Sequence, residues 1–162
     1  MIKYTIREDD LTGPEIAALL QLHLDEMYQW SPPESVHAMP MERLRAPDVT
    51  FYSAWNGGEL AACGAIKHLS ADHGELKSMR ADPAWRGKGA GKAMLLHLIA
   101  EARERGYSRL SLETGPTEQF EPARQLYLNH GFALCGPFSD YPNDAFSVFM
   151  TRTLENRSPH LN

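Results

Sequence analysis

The chain has 162 residues and a formal net charge of −5, with an isoelectric point of about 5.8. Hydrophobic residues make up 43% and charged residues 23%, an ordinary balance for one globular domain with a sizeable core. The acidic balance argues against a general nucleic-acid binder, which carries a basic face, and no apolar run approaches membrane-spanning length. The two cysteines, Cys63 and Cys135, sit in apolar runs without CxxC or Cys/His spacing. They read as buried thiols in a reducing compartment, and no metal is expected. Met1-Ile2-Lys3-Tyr4 does not read as a signal peptide, so a cytoplasmic protein is expected, with neither nucleic acid nor membrane as partner.

A strand is predicted from Ile2 to Arg7, where Ile2, Tyr4 and Ile6 alternate with polar residues. Thr12-Gly13-Pro14-Glu15 starts a helix, with Thr12 as a cap and Pro14 in the first turn. Ile16, Leu19, Leu20, His23, Leu24 and Met27 give that helix an amphipathic face. Ser31-Pro32-Pro33 stops it, and Met41 to Leu44 forms a short second helix before Pro47. Val49–Trp55 and Leu60–His68 flank Asn56-Gly57-Gly58, the strongest hairpin signal in the chain. A turn around Gly74 leads to a strand from Glu75 to Ala81. A glycine-rich loop and a helix from Lys92 to Arg105, capped by Gly106, follow. Ser108–Glu113 is a strand, Gln119–His130 a helix stopped by Gly131, and Phe132–Cys135 and Ala145–Thr153 the last strands. The order predicts a mixed α/β (α+β) domain over residues 1–154, with a largely antiparallel sheet of about seven strands flanked by helices, and a tail over 155–162.

Arg86-Gly87-Lys88-Gly89-Ala90-Gly91 lies between a predicted strand and a predicted helix. Such a turn exposes backbone amides at a helix N-terminus, where free N–H groups and the helix dipole favour phosphate. The loop is one residue too short for a P-loop, and Ala93 stands where the magnesium-binding hydroxyl would be needed. Gly87-x-Gly89-x-Gly91 also misses the dinucleotide spacing and lies downstream of a meander.

Arg86-x-x-Gly89-x-Gly91 resembles motif A of the GNAT N-acetyltransferase superfamily. Ala123-Arg124-Gln125-Leu126-Tyr127 with Gly131-Phe132 is similar to that family's second signature, and the element order matches over about residues 2–153. The Ser31–His37 and Cys135–Tyr141 runs resemble a bacterial, YsnE-like subgroup. Phe120 departs from the family, which often has Asn there. The resemblance implies acetyl-CoA as donor. It places Gly87 to Lys92 on the pyrophosphate and a strand bulge that frees Met79 and Ala81 to meet the pantetheine arm. The implied cofactor set is Met79, Arg80, Ala81, Arg86, Gly87, Lys88, Gly89, Ala90, Gly91 and Lys92.

Acetyl transfer to an amine needs a neutral amine, a polarised thioester and a proton for the departing thiolate. Glu75 lies eleven residues before Arg86, a spacing at which some family members place a catalytic base; the plainer alternative is a solvated carboxylate. Strand alternation puts Glu75, Lys77 and Met79 on one face and Leu76, Ser78 and Arg80 on the other. Tyr127 matches the family's acid, the alternative being a core tyrosine. The resemblance implies an acceptor pocket built from the first helices and the last strands, here Tyr28, Glu34, His37, Asp140 and Tyr141. Glu34 and Asp140 suit an ammonium, and Arg80 or His37 a carboxylate. The expected activity is transfer of acetyl to a primary amine of a small molecule in a ternary complex. A protein or peptide amine acetyltransferase and a non-catalytic acetyl-CoA sensor are the alternatives, and a homodimer through the last strands is an option the family suggests.

Overall fold

The computed structural model describes residues 2–37 and 39–154; the expected tail at 155–162 lies outside them. The chain runs β1 (Thr5–Glu8), α1 (Pro14–Trp30), α2 (Met41–Leu44), β2 (Val49–Asn56), β3 (Glu59–Ser70) and β4 (His73–Ala81). It continues through α3 (Ala90–Glu104), β5 (Arg109–Thr114), α4 (Glu121–Asn129), β6 (Ala133–Cys135) and β7 (Val148–Thr153). All seven strands form one sheet in the order β1-β2-β3-β4-β5-β7-β6. Among the described residues only the β4–β5 pairing is parallel; the others are antiparallel. No helix among the described residues is long and apolar enough to cross a membrane.

Local signals set most of these boundaries. Gly57 takes a φ of 59° in the β2–β3 turn, and Gly106 and Gly131 take φ of 83° and 87° just past α3 and α4. These are left-handed conformations that side-chain-bearing residues resist. Thr12 does not cap α1: its hydroxyl donates to Asp10 at 2.6 Å, and the cap position falls to Gly13, with no side-chain capping bond. A prior acidic turn captures the hydroxyl before the helix amides can.

Two cores lie on opposite faces of the sheet. Met94, Leu95, Leu98 and Ile99 of α3 pack on Ile66, Leu76 and Leu110, and Tyr127 of α4 joins them. Ile16 and Leu19 of α1 and Leu44 of α2 cover Phe51, Cys63 and Ala65. Strand β3 is therefore buried on both sides, which explains its unbroken apolar run from Leu60 to Ile66.

A bulge in β4 positions the site. Cys63 pairs with Arg80 and Ala65 with Lys77, so Ser78 and Met79 together face Gly64. Ser78 takes a φ of 55°. The extra residue reverses the alternation expected beyond it. Met79 turns to the α3 face, where a Cβ on Gly64 would meet its Sδ at 2.7 Å. Arg80 turns to the α1 face and pairs with Glu26. The predicted grouping of Met79 with Glu75 and Lys77 therefore fails, because strict alternation does not survive a bulge.

Candidate active site

Strands β4 and β5 pair only at His73–Arg109, Gly74–Leu110 and Glu75–Ser111. Beyond Glu75 the two strands diverge. β4 keeps its bonds to β3 as far as Ala81, while β5 follows β7 to Thr114. A cavity of about 660 Å³ occupies the wedge. Its walls are Leu76 to Ala81 of β4, Leu112 to Thr114 of β5, the glycine loop, one side of α1 and the start of α4.

The glycine loop forms one end of this cavity. Gly87 and Gly89 take φ of 73° and 83°, and Gly89 caps α3 without a side-chain bond. The first-turn amides of α3 are thus left to an outside acceptor, and no acidic residue opposes an anion there. Lys92 lies in that first turn, and Arg86 stands at the cavity wall. The loop is braced from β1's side: the Tyr4 hydroxyl donates to the Lys88 carbonyl at 2.6 Å, and the Tyr4 and Trp85 rings meet edge to face. The Asp82 carboxylate caps the turn Pro83–Trp85 through the Ala84 amide at 2.9 Å.

Tyr127 is buried against Phe132 and lines the cavity. Burial pushes its phenol above the usual range, which keeps it protonated and able to donate. Its hydroxyl has no hydrogen-bond partner among the described residues.

Glu75 is not a solvated carboxylate. It is 1% exposed and stands behind the cavity rather than in its wall. The Tyr141 hydroxyl donates to its Oε2 at 2.5 Å, and Lys77 Nζ lies 3.5 Å away. Lys77 also donates to the Tyr141 hydroxyl at 2.7 Å and to the His37 carbonyl at 3.1 Å. His37 lines the cavity, and its Nδ1 meets Glu113 Oε2 at 3.1 Å. Ser147 donates to the same oxygen at 2.7 Å. The segment before His37 is tied down by Ser35, whose hydroxyl donates to Asp144 at 2.5 Å.

Of the five predicted acceptor residues only His37 lines the cavity; Tyr141 stands with Glu75 outside its wall, and the other three are exposed. Tyr28 is 52% exposed, and Glu34 and Asp140 are also exposed; none lines the cavity. Glu34 and Asp140, the pair expected to hold an ammonium, thus stand outside the cavity wall. His23 and Met27, on the α1 stripe whose periodicity already marked it as inward-facing, line it instead, together with Trp30. Burial first, then the charges of Arg80 and Lys77, hold His23 down to about 4. Lys77 and Glu113 carried no local motif.

A family model described as Acetyltransferase (GNAT) family matches residues 16–132. The chain is 54% identical over 149 residues to the uncharacterized N-acetyltransferase YsnE of Bacillus subtilis, covering 92% of this chain and 99% of that one. The chain belongs to the GNAT acetyltransferase family. It is also 49% identical over 151 residues to the uncharacterized N-acetyltransferase YedL of Escherichia coli, covering 93% and 95% of the two chains. A solved Klebsiella pneumoniae chain assigned to the acyl-CoA N-acyltransferases superposes with a TM-score of 0.75 at 31% identity, covering 94% of this chain and 98% of that one. The same GNAT fold recurs in an acetyltransferase from Elizabethkingia anophelis solved with acetyl-CoA bound, with a TM-score of 0.70 at 18% identity and coverage of 93% and 98%. The protein is thus an N-acetyltransferase of the GNAT family, and acetyl-CoA-dependent acetylation is the activity this membership implies.

Proposed function

We propose that the protein transfers acetyl from acetyl-CoA to a primary amine of a small molecule, both substrates being bound together. One observation carries this reading. The glycine loop, the unpaired edge of β4 and the unpartnered Tyr127 hydroxyl all line one wedge.

The residues fit the donor. The first-turn amides from Ala90 to Lys92, with Arg86 and Lys92, suit a pyrophosphate, and the left-handed glycines let backbone approach it closely. Met79 and Ala81 on the unpaired stretch of β4 suit the pantetheine arm, and the Met79 N–H suits the thioester oxygen. Tyr127 supplies a proton to the leaving sulfur. Glu75, shielded by Tyr141, acts as an anchor for Tyr141 and Lys77 rather than as a group that meets the amine.

A small acceptor is favoured over a protein because the segment after α1 is held across one side of the cavity. Ser35–Asp144 and His37–Glu113 tie the segment after α1 to β5 and to the loop before β7. The free cysteines Cys63 and Cys135 suit a cytoplasmic setting. A homodimer through the last strands is supported by the edge position of β6, where Leu134 is 70% exposed.

The test is thiol release from acetyl-CoA with a panel of free amino acids, polyamines and short peptides. The expected result is amine-dependent CoA release with at least one small amine. Tight acetyl-CoA binding without any amine-dependent release would favour a sensor, and release with peptides alone would favour a peptide acetyltransferase.

A further inference from the structure

We infer that His37 is the general base that deprotonates the acceptor amine, and that Glu113 is the positioning residue that sets its tautomer. This inference rests on the proposed amine-acetylating function. It starts from a chemical requirement. An alkylammonium has a pKa of ~10.4 in water, so a group at the cavity must take its proton before the nitrogen can attack.

Four other titratable groups near the acceptor end are poor candidates. Glu75 is held behind Tyr141 and does not reach the wall. Lys77 is engaged by Tyr141, by the His37 carbonyl and by Glu75, and as an ammonium it has no lone pair to offer. Glu113 already accepts from His37 and Ser147 through one oxygen. His23 lines the cavity but is held down to about 4 by burial and by Arg80 and Lys77. A base that weak captures little of an ammonium's proton near neutrality.

His37 differs from all of these. It lines the cavity and comes from the segment after α1 that is tied to β5 and to the loop before β7. Its Nδ1 lies 3.1 Å from Glu113 Oε2. A carboxylate only accepts, so Nδ1 carries a proton in this contact, and in the neutral ring the lone pair then lies on Nε2. Nε2 has no hydrogen-bond partner among the described residues. Glu113 is itself fixed by the Ser147 hydroxyl at 2.7 Å, and the ring is flanked by Tyr141 at a centroid distance of 5.1 Å. Base, orienting carboxylate and a group fixing that carboxylate follow the logic of activated histidines on unrelated folds.

The step balances without any further reagent. An N–H bond of the ammonium breaks and its proton moves to Nε2. The freed lone pair forms the N–C bond as the C–S bond breaks, and the sulfur takes the Tyr127 proton. The second proton lost by the acylated nitrogen restores the phenol. The imidazolium, stabilised by Glu113, returns its proton to water.

Two measurements test the assignment. In 15N NMR of the CoA-bound protein, with His37→Gln identifying the resonance, His37 is expected as the Nδ1–H tautomer. An Nε2–H tautomer overturns the inference. In kinetics with the panel amine that the wild type acetylates fastest, His37→Gln is expected to lower kcat by about 10²–10³-fold, with the KM for acetyl-CoA and the melting temperature unchanged. Glu113→Gln keeps an acceptor oxygen but loses the charge, and is expected to fall between the two. Undiminished turnover in His37→Gln overturns this inference alone. A wild-type protein that releases CoA with no amine overturns the proposed function, and this inference with it.

Discussion

Tyr141 donates a hydrogen bond of 2.5 Å to Oε2 of Glu75, across 66 residues of chain. The bond ties the loop before β7 to the middle of the sheet. Burial, and then the charge of Glu75, pushes the Tyr141 phenol well above its usual range, so the donor keeps its proton at working pH. Tyr141→Phe removes the donor and leaves the buried carboxylate with Lys77 as its nearest partner. The expected loss is about 1–3 kcal/mol, read as a fall in melting temperature of about 2–4 °C per kcal/mol for a chain of this size. A melt indistinguishable from wild type would mean that Glu75 finds another donor.

Gly115 offers a second test, through packing. A Cβ there would lie 2.2 Å from Cε2 and 2.3 Å from Cδ2 of Phe120. The Phe120 ring lines the cavity and meets Trp30 edge to face at 5.7 Å. Gly115→Ala must therefore displace a ring that lines the cavity. Overpacking of this kind costs about 1–3 kcal/mol, and the acceptor KM is expected to rise while acetyl-CoA affinity holds. Denaturant melts and the two KM values check it; wild-type values for all three would show that the ring relocates freely.

The parts of the fold legible in the sequence are those written in short contiguous signals. Asn56-Gly57-Gly58 marks its hairpin, Gly106 and Gly131 mark helix ends, and Arg86 to Gly91 mark the loop that lines one cavity with Tyr127. The bulge at Ser78 was expected only from the family resemblance. A serine carries no preference for a φ of 55°, so the reversal that sends Arg80 to the α1 face could not be read from alternation. The acceptor end was harder for a related reason. His37 meets Glu113 across 76 residues and Lys77 meets Tyr141 across 64, so no spacing links them. The family resemblance pointed to the segments carrying Tyr28, Glu34 and Asp140, but not to the direction of those side chains.

His23 makes acid stability the third test. Its folded value of about 4 lies below the ~6.5 of an unfolded imidazole. The unfolded chain therefore binds a proton that the folded chain refuses. Stability contributed by neutral His23 is complete above about pH 6.5 and falls as pH drops toward 4, by about 1.4 kcal/mol per pH unit for one proton. His23→Gln removes that slope. Urea melts at pH 7 and pH 5 should show wild type losing about 2 kcal/mol more than the variant. Parallel losses would mean that His23 is already charged, or reaches water, in the folded state.

Tyr127 gives the most direct test of the chemistry. Its ring is packed on Phe132 and within the α3-side core, while its hydroxyl has no hydrogen-bond partner among the described residues. Tyr127→Phe therefore deletes one oxygen without orphaning a protein partner, and stability should change little. If the hydroxyl protonates the leaving thiolate, kcat falls by about 10²-fold with acetyl-CoA affinity preserved. Burial also raises the phenol's ionisation above its usual range, so the wild-type rate should show no alkaline loss from this group up to about pH 10. Calorimetric titration with CoA and a pH–rate profile at saturating amine check both halves. Unchanged turnover in the phenylalanine variant would remove the acid role and leave Tyr127 as a packing residue.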